Sequence, residues 1–250
     1  MNTKEKIVQS LEEAKGKYVS GGSLAEAFGL SRNAIWKGIN ELKKAGYPIE
    51  SVKNKGYRLS ESSDIISKAG IALCLEKMEK SSCTDELADR LFVYESLDST
   101  NTQAVREMLA DGLEMLHNTT IVAKRQSSGR GHRGAGFESP EGGIYLSMIL
   151  DPGKLQNPES VPGAVAGIVT ETVKKLYGVE IRGGKDNSLY LGKEKIGGIL
   201  TEGISDLETG ICSSCIVGIG IRADRLCNGR NPSPQRNLVI AALMISLAKL

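Results

Sequence analysis

The chain has 250 residues, a length that suits one large domain or two small ones. Hydrophobic residues make up 40% and charged residues 25%, as in ordinary globular proteins, and no apolar run approaches the length of a membrane-spanning helix. The polar N-terminus has no signal-peptide core, and five thinly spread cysteines do not suggest a disulfide framework. These features predict a cytoplasmic protein that is not associated with a membrane.

Charge is distributed unevenly along the chain. Residues 1–60 hold eleven Lys/Arg against six Asp/Glu, a balance of +5, whereas the remainder holds twenty-one against twenty-four, a balance of −3. A basic module ahead of a slightly acidic body indicates an anionic partner for the first module. Chance clustering of charge is the alternative.

The first fifty residues carry three helix patterns. Apolar residues recur at helical spacing over residues 3–15. Ser23, with a glutamate three residues later, has the pattern of a capping box and predicts the start of a second, short helix that ends at Gly29. Ser31 is the predicted N-cap of a third helix ending at Gly46. Two helices joined by such a short turn form a helix-turn-helix.

A hairpin follows the third helix. Two short alternating runs flank residues 54–56, which have the composition of a hairpin turn, and so complete a winged helix-turn-helix. The outer face of the third helix and the wing carry side chains of the types that contact bases and phosphates. The predicted DNA-binding residues are Arg32, Asn33, Trp36, Lys37, Asn40, Lys53 and Lys55. A small helical docking module with a solvated polar face is the alternative.

The pattern changes after the wing. We predict a first domain over residues 1–62, a helical connector over 63–90 and a second domain over 91–250. In the second domain the predicted helices span residues 102–109, 160–177 and 237–250, and the predicted strands span 91–95, 119–123, 143–150, 179–182, 189–192, 195–204 and 213–223. Clustered strands mixed with helices indicate an α+β domain around a mixed, largely antiparallel sheet.

A basic, glycine-rich stretch at residues 122–140 joins two of these strands. It fits a G-x-G-x-x-G string beginning at Gly129, but a strand follows instead of a helix, so a dinucleotide-binding fold is disfavoured. Arg130 and Arg133 offer forked donors for phosphate or carboxylate, and His132 adds a donor when protonated. The alternative is a mobile basic surface loop.

Four segments resemble, in the same order, the bifunctional biotin protein ligases that double as biotin operon repressors. They are the winged helix, LDSTNTQA at residues 97–104, AKRQSSGRGHRGAGFESPEGGIYLSM at 123–148, and LYLGKEKIGGILTEG at 189–203 followed by IVGIGI at 216–221. The resemblance covers residues 5–222 approximately and implies a class II synthetase-like ligase domain behind the DNA-binding module.

The resemblance implies a two-step reaction and a second role. Biotin and MgATP give biotinyl-5′-AMP, and biotin is then transferred to a lysine of a biotin carboxyl carrier protein. The same protein binds operator DNA as a homodimer when biotinyl-AMP is bound. Two alternatives are a DNA-binding biotin sensor with little or no ligase activity and a lipoate-type ligase, against which the DNA-binding module and the glycine-rich stretch argue.

Site residues follow from the same resemblance. The implied biotin-binding residues are Ser99, Thr100, Asn101, Gln126, Arg130, Gly131, His132 and Lys195, with Lys195 and Arg130 also catalytic. The implied nucleotide-binding residues are Arg133, Phe137 and Asn187, and no protein-bound metal site is expected. A helix cap for Ser99 and Thr100, a solvated hairpin position for Lys195 and a core position for Phe137 are the local alternatives.

The sequence also departs from the family pattern. His132 and Ala135 stand where arginine is usual, and Phe137 stands where tryptophan is common. In RGGKDNS, residues 182–188, one alignment puts Asn187 in the family's Asn position with serine replacing the following Asp, and the other anchors on Arg182 with two extra residues.

Two features concern the C-terminal third. The chain stops at Leu250 within an apolar pattern, so the family's C-terminal β-barrel-like domain is expected to be absent and ligase activity reduced. Cys212 and Cys215 form a C-x-x-C without a second pair at zinc-site spacing, and we predict that they are structural.

Overall fold

The computed structural model describes residues 2–111, 116–155, 160–205, 212–227 and 235–250. The chain forms two compact units, Met1–Leu73 and Cys74–Leu250. Among the described residues, no helix has the length and apolar character needed to cross a membrane.

The first unit is a winged helix-turn-helix. Its elements are α1 (Thr3–Glu13), α2 (Gly21–Phe28), α3 (Arg32–Lys44), β1 (Ile49–Val52) and β2 (Gly56–Leu59), and α4 (Lys68–Met78) begins at its end. The three helices and the hairpin share one buried cluster that includes Ile7, Leu24, Ile35, Ile39 and Leu59. Burial of the apolar side chains in this cluster drives the packing of the helices and the hairpin.

Helix caps decide where these helices begin. Ser31 accepts a hydrogen bond from the backbone N–H of Ala34, which confirms the predicted N-cap of α3. The predicted cap of α2 is wrong, because the N-cap is Ser20, whose Oγ accepts from the N–H of Ser23 at 2.9 Å. Ser20 has extended backbone angles, as an N-cap requires, and so the helix starts at Gly21, three residues earlier than predicted. Gly29 adopts the left-handed conformation and ends α2 as predicted.

The wing is an antiparallel hairpin in which Ile49 lies opposite Leu59. Asn54 in its turn and Gly56 at the start of β2 have positive φ values of 66° and 103°, which confirms a tight turn at the predicted residues. The N–H of Tyr57 donates to the carbonyl of Val19 at 2.9 Å, so residues before α2 pair with the wing. A Cβ on Gly56 would lie 2.1 Å from that carbonyl oxygen.

The second unit is built on a seven-stranded sheet. Its helices are α5 (Ser82–Asp89), α6 (Thr100–Asp111), α7 (Val161–Tyr177) and α8 (Arg236–Leu247), and its strands are β3 (Leu91–Tyr94), β4 (Thr120–Ala123), β5 (Ile144–Leu150), β6 (Arg182–Gly183), β7 (Ser188–Leu191), β8 (Glu194–Ser205) and β9 (Cys212–Ile221). The strand order is β3-β4-β5-β9-β8-β7-β6. Only the β3–β4 pair is parallel among these strands, which confirms the mixed, largely antiparallel sheet.

Every residue of β5 is buried, so both faces of the sheet are covered at its centre. The apolar face of α6 packs through Ala104 and Met108 onto Ile121, Ile149 and Ile216. The predicted strand over residues 179–182 is wrong, since only the two residues of β6 pair with β7. The chain turns immediately after them, with the N–H of Gly184 bonded to the carbonyl of Ser188 at 2.7 Å.

We expect Gly56→Ala to destabilise the first unit by about 3 kcal/mol, combining a positive φ with a steric overlap. Gly29→Ala is a matched control, because Gly29 also has a positive φ but has open space around its Cβ position. It should cost about 1 kcal/mol. Urea unfolding of the two variants measures this difference, and equal losses would contradict the steric argument.

Candidate functional site

A cavity of about 270 Å³ opens in the second unit, between the start of α6, the glycine-rich stretch and strands β7–β9. Eleven residues of its lining are those that the sequence assigned to biotin or nucleotide: Ser99, Thr100, Asn101, Gln126, Arg130, Gly131, His132, Arg133, Phe137, Asn187 and Lys195. They come from segments far apart in the sequence, and the sheet brings all of them to one place.

One wall of the cavity is neutral and polar. Ser99, Thr100 and Asn101 are only 3–4% exposed at the start of α6. The N–H of Thr100 donates to Gln126 Oε1 at 2.7 Å, and Gln126 Nε2 donates to Ser139 Oγ at 2.7 Å. This wall therefore presents side chains whose orientations are fixed by hydrogen bonds.

Ser147 was not predicted as part of the site. It is fully buried in β5, with its Oγ 2.7 Å from Thr100 Oγ1 and 2.5 Å from Asn101 Oδ1. Because a hydroxyl has one proton, it donates to only one of the two at a time. The available signal was a lone serine within the apolar run IYLSMIL.

Glu202 on β8 was also missed. Its Oε2 accepts from Asn101 Nδ2 at 2.7 Å, and its Oε1 accepts from Arg130 Nη2 at 2.7 Å. A carboxylate within a strand that is otherwise rich in glycine and apolar residues was the signal in the sequence. Glu202 on β8 thus forms hydrogen bonds with both the start of α6 and the glycine-rich stretch.

The glycine-rich stretch folds as a narrow hairpin. Gly131 N–H donates to the carbonyl of Ala135 at 2.7 Å, and Phe137 N–H donates to the carbonyl of Gly129 at 2.8 Å. A Cβ on Gly129 would lie 2.2 Å from the Phe137 carbonyl oxygen, so a side chain there would prevent this pairing. Arg133 occupies the tip with a positive φ of 56°.

An aromatic side chain covers part of the cavity floor. A Cβ on Gly220 would lie 2.4 Å from the Phe137 ring, so the ring packs directly on the backbone of β9. The ring also meets Tyr145 edge to face, with centroids 6.4 Å apart. Burial raises the pKa of Tyr145 to about 12, and its neutral hydroxyl donates to the carbonyl of Pro140.

Positive charge gathers at the open side. Arg130, His132, Arg133 and Lys195 are exposed and line the cavity. Within the part of the chain that the structure describes, Arg130 pairs with Glu202, whereas Arg133 and Lys195 form no ion pair. Cations that converge on a cavity without carboxylate partners are suited to an anionic ligand.

The RGGKDNS segment enters the cavity at Asp186 and Asn187. Asn187 has a positive φ of 59°, and its carbonyl accepts from the N–H of Ile199. A hydrogen bond from the Ser188 hydroxyl, with a smaller contribution from the charge of Lys195, holds the pKa of Asp186 below its usual value. Asp186 was not predicted, because the two alignments of this segment left its position open.

The described residues contain no group of three or more His, Cys, Asp or Glu side chains arranged for a metal ion. Cys215 is buried in β9, while the side chain of Cys212 lies outside the described residues, so the structural role of this pair stays a prediction.

The first unit has a second cleft, of about 490 Å³, between the start of α2, helix α3 and the wing. Of the predicted DNA-binding residues, it is lined by Arg32, Trp36, Asn40, Lys53 and Lys55. Asn33 and Lys37 are exposed on α3 but lie outside the cleft. Trp36 is 55% exposed, which is unusual for a large apolar side chain and fits a contact surface.

Comparison with known protein families gives a separate match within each of the two units. Residues 3–58 match the HTH domain family, and residues 93–221 match the Biotin/lipoate A/B protein ligase family. The second match covers more than half of the chain. The chain therefore belongs to the Biotin/lipoate A/B protein ligase family and carries an N-terminal helix-turn-helix domain.

Two similar curated proteins carry both functions in their names. The chain is 31% identical over 224 residues to the bifunctional ligase/repressor BirA of Bacillus subtilis, covering 89% of this chain and 65% of that protein. It is 34% identical over 215 residues to the protein of the same name from Escherichia coli, covering 83% and 60%. The chain thus spans less than two thirds of the length of these relatives.

Solved structures give a more distant likeness. Biotin protein ligase from Aquifex aeolicus in complex with biotin and ATP is 25% identical with a TM-score of 0.48, covering 64% of this chain and 68% of that one. The biotin acetyl coenzyme A carboxylase synthetase from Helicobacter pylori with bound biotinylated ATP is 24% identical, also with a TM-score of 0.48, covering 64% and 73%.

Ser147→Ala should leave Asn101 Oδ1 without its hydrogen-bond donor in a buried environment, whereas the Thr100 hydroxyl keeps its contact with Gln126. We expect a loss of about 1–3 kcal/mol in the free energy of unfolding. Ser127→Ala is the control, because Ser127 is exposed and its hydroxyl is 3.5 Å from the acceptor Leu97 O. Chemical denaturation of both variants measures the effect, and equal stability would argue against the buried hydrogen-bond chain.

Proposed function

We propose that the chain activates biotin with ATP to form biotinyl-5′-AMP and transfers biotin to a lysine of a biotin carboxyl carrier protein. The observation that carries this proposal is a single cavity with a hydrogen-bonded neutral wall on one side and converging cations on the other. Biotin has a neutral polar ring system and an anionic carboxylate, so the two sides match the two ends of this ligand. The names of the relatives support the same activity.

The neutral wall suits the ureido ring. Thr100, Asn101 and Gln126 lie within one hydrogen-bonded set, so ligand binding needs little reorganisation of these side chains. A lipoate-type ligand has an apolar dithiolane ring in the corresponding place, which would make no hydrogen bonds to these polar groups and would still exclude water from them. The wall therefore favours biotin within the biotin/lipoate family.

The cationic side suits the chemistry of activation. When the biotin carboxylate attacks the α-phosphate of ATP, pyrophosphate leaves and negative charge collects on the phosphate and carboxylate oxygens. Lys195 and Arg130 are placed to stabilise that charge. Positioned cations lower the barrier by holding the reacting groups together and by offsetting their repulsion.

The remaining residues of the cavity suit the nucleotide. The face of Phe137 is proposed to pack against adenine, and Arg133 and Asn187 are proposed to contact the nucleotide. Mg²⁺ prefers oxygen ligands and usually takes one or two carboxylates together with substrate phosphates. Asp186 and Asn187 offer such oxygen atoms and would hold the magnesium ion that accompanies ATP, and the ion would offset part of the negative charge of the phosphates.

The first test is calorimetric titration of biotin, without and then with MgATP, followed by analysis of the products for biotinyl-AMP. Biotin binding with adenylate formation supports the ligase. Binding without adenylate would favour the alternative, a DNA-binding biotin sensor. Preferential binding of lipoate would overturn the assignment of the neutral wall.

Lys195→Ala should reduce adenylate formation about a hundredfold, because a positioned cation in the transition state is lost. Lys193→Ala is the matched control, since Lys193 is exposed two residues away and does not line the cavity. Pyrophosphate release measures the rate. DNA binding should be unchanged in both variants, and a parallel loss of DNA binding would contradict a separate role for the two units.

We further propose that the first unit binds operator DNA and that the protein acts there as a homodimer when biotinyl-AMP is bound. The cleft in the first unit is lined by an arginine, two lysines and an asparagine. Side chains of these types donate hydrogen bonds to phosphates and base edges. A two-fold dimer would place two such units on a two-fold operator, which is the usual arrangement for helix-turn-helix repressors.

Lys53→Ala should weaken binding of the full chain to nonspecific duplex DNA and lower the slope of log affinity against log salt concentration by about 0.9, the value for one phosphate contact. Lys44→Ala serves as the control, because Lys44 is exposed on α3 outside the cleft. Fluorescence anisotropy at several salt concentrations gives both slopes. An unchanged slope for Lys53→Ala would remove the wing from the DNA interface.

A further inference from the structure

Glu202 has a position that the proposed reaction does not explain. It is not among the residues that line the cavity, yet its carboxylate contacts two residues that are. One oxygen accepts from Asn101 Nδ2 and the other from Arg130 Nη2, both at 2.7 Å. Its side chain is 26% exposed, so water only partly screens these contacts.

The contacts of Glu202 continue around the cavity. Asn101 Oδ1 meets Ser147, which meets Thr100, and Thr100 donates to Gln126. Gln126 donates to Ser139, whose hydroxyl donates to the carbonyl of Phe137 at 3.1 Å. The hairpin formed by the glycine-rich stretch is thereby attached to the sheet on both sides, at Arg130 and at Phe137. Glu202 is the anionic member of this chain of contacts and pairs with the cationic Arg130.

We propose that Glu202 is a positioning residue that orients Arg130 and Asn101 for the ligand. This inference rests on the proposed function. A carboxylate only accepts hydrogen bonds, so it requires both neighbours to act as donors. Asn101 must then direct its carbonyl oxygen towards Ser147, and Arg130 must direct Nη2 towards β8, which leaves its other N–H groups for an anion in the cavity.

If Glu202 competed with the ligand instead of positioning Arg130, removal of its charge would change the ligand affinity in the opposite direction. If Glu202 simply competes with the ligand anion for Arg130, removal of its charge would strengthen binding of an anionic ligand. If Glu202 positions Arg130, removal of its charge would weaken binding, although a negative charge near the cavity has been lost. The direction of the change therefore separates positioning from competition.

The variant is Glu202→Gln, and the matched control is Glu180→Gln. Glu180 pairs with Lys174 Nζ at the same distance of 2.7 Å, is exposed and does not line the cavity. We expect the affinity for biotin, measured by calorimetry, to fall about tenfold in Glu202→Gln, because a partly screened charge-assisted hydrogen bond is lost. In the control the affinity should change less than about twofold.

A double-variant cycle tests whether Glu202 acts through Arg130. In an Arg130→Gln background, the effect of Glu202→Gln should shrink to less than about threefold, because the partner is already lost. The urea midpoint of each variant is measured in parallel. Full additivity of the two substitutions, or tighter binding in Glu202→Gln, would overturn the proposal.

Hydrogen exchange tests the same contact without any ligand. The amides of Gly131 and Phe137 are bonded across the hairpin, so their exchange reports its opening. We expect exchange at both to become about tenfold faster in Glu202→Gln and to remain unchanged in Glu180→Gln. Unchanged exchange in Glu202→Gln would reject the positioning role. Because this result does not require biotin binding, it stays decisive even if wild-type protein fails to bind biotin and the proposed function is wrong.

Discussion

The buried contact between β5 and the first turn of α6 is the constraint on which the ligand cavity depends. Ser147 has no solvent exposure, and its hydroxyl meets Thr100 and Asn101 at the helix start. An unmet polar atom in such a place costs about 1–3 kcal/mol, so α6 begins where these partners meet. With the helix start fixed, Asn101 reaches Glu202 and Thr100 reaches Gln126.

Glycine supplies the space that these contacts need. A Cβ on Gly218 would lie 2.2 Å from Asn101 Oδ1, and one on Gly220 would overlap the Phe137 ring. Both glycines lie on β9, on one face of the strand, because side chains two residues apart share a face. The helix start and the aromatic ring can therefore lie directly on the strand backbone, and the cavity forms between them and the glycine-rich hairpin.

Local patterns were sufficient for most of the fold. The apolar stripe of α3 and the hairpin turn before β2 depend on neighbours in sequence, and the structure confirms them. Local reasoning was wrong where two signals competed, as at Ser20 and Ser23, which are both plausible caps for α2. The segments of the cavity were identified from the sequence, but the contact of Glu202 with Asn101, a partner 101 positions away, was not. Pairing over that distance is set by strand order, which composition and periodicity do not determine.

The two ends of the cavity differ in charge. At one end, neutral side chains satisfy one another through hydrogen bonds, so this end needs no ion to complete it. At the other, Arg133 and Lys195 line the cavity without an ion pair among the described residues, although the charge of Lys195 acts on Asp186. Arg130 stands between the two ends, held by Glu202. Under the proposed function, an anionic ligand would gain most at the cationic end and the neutral end would select its head group by shape and hydrogen bonds, so affinity and specificity would depend on different residues.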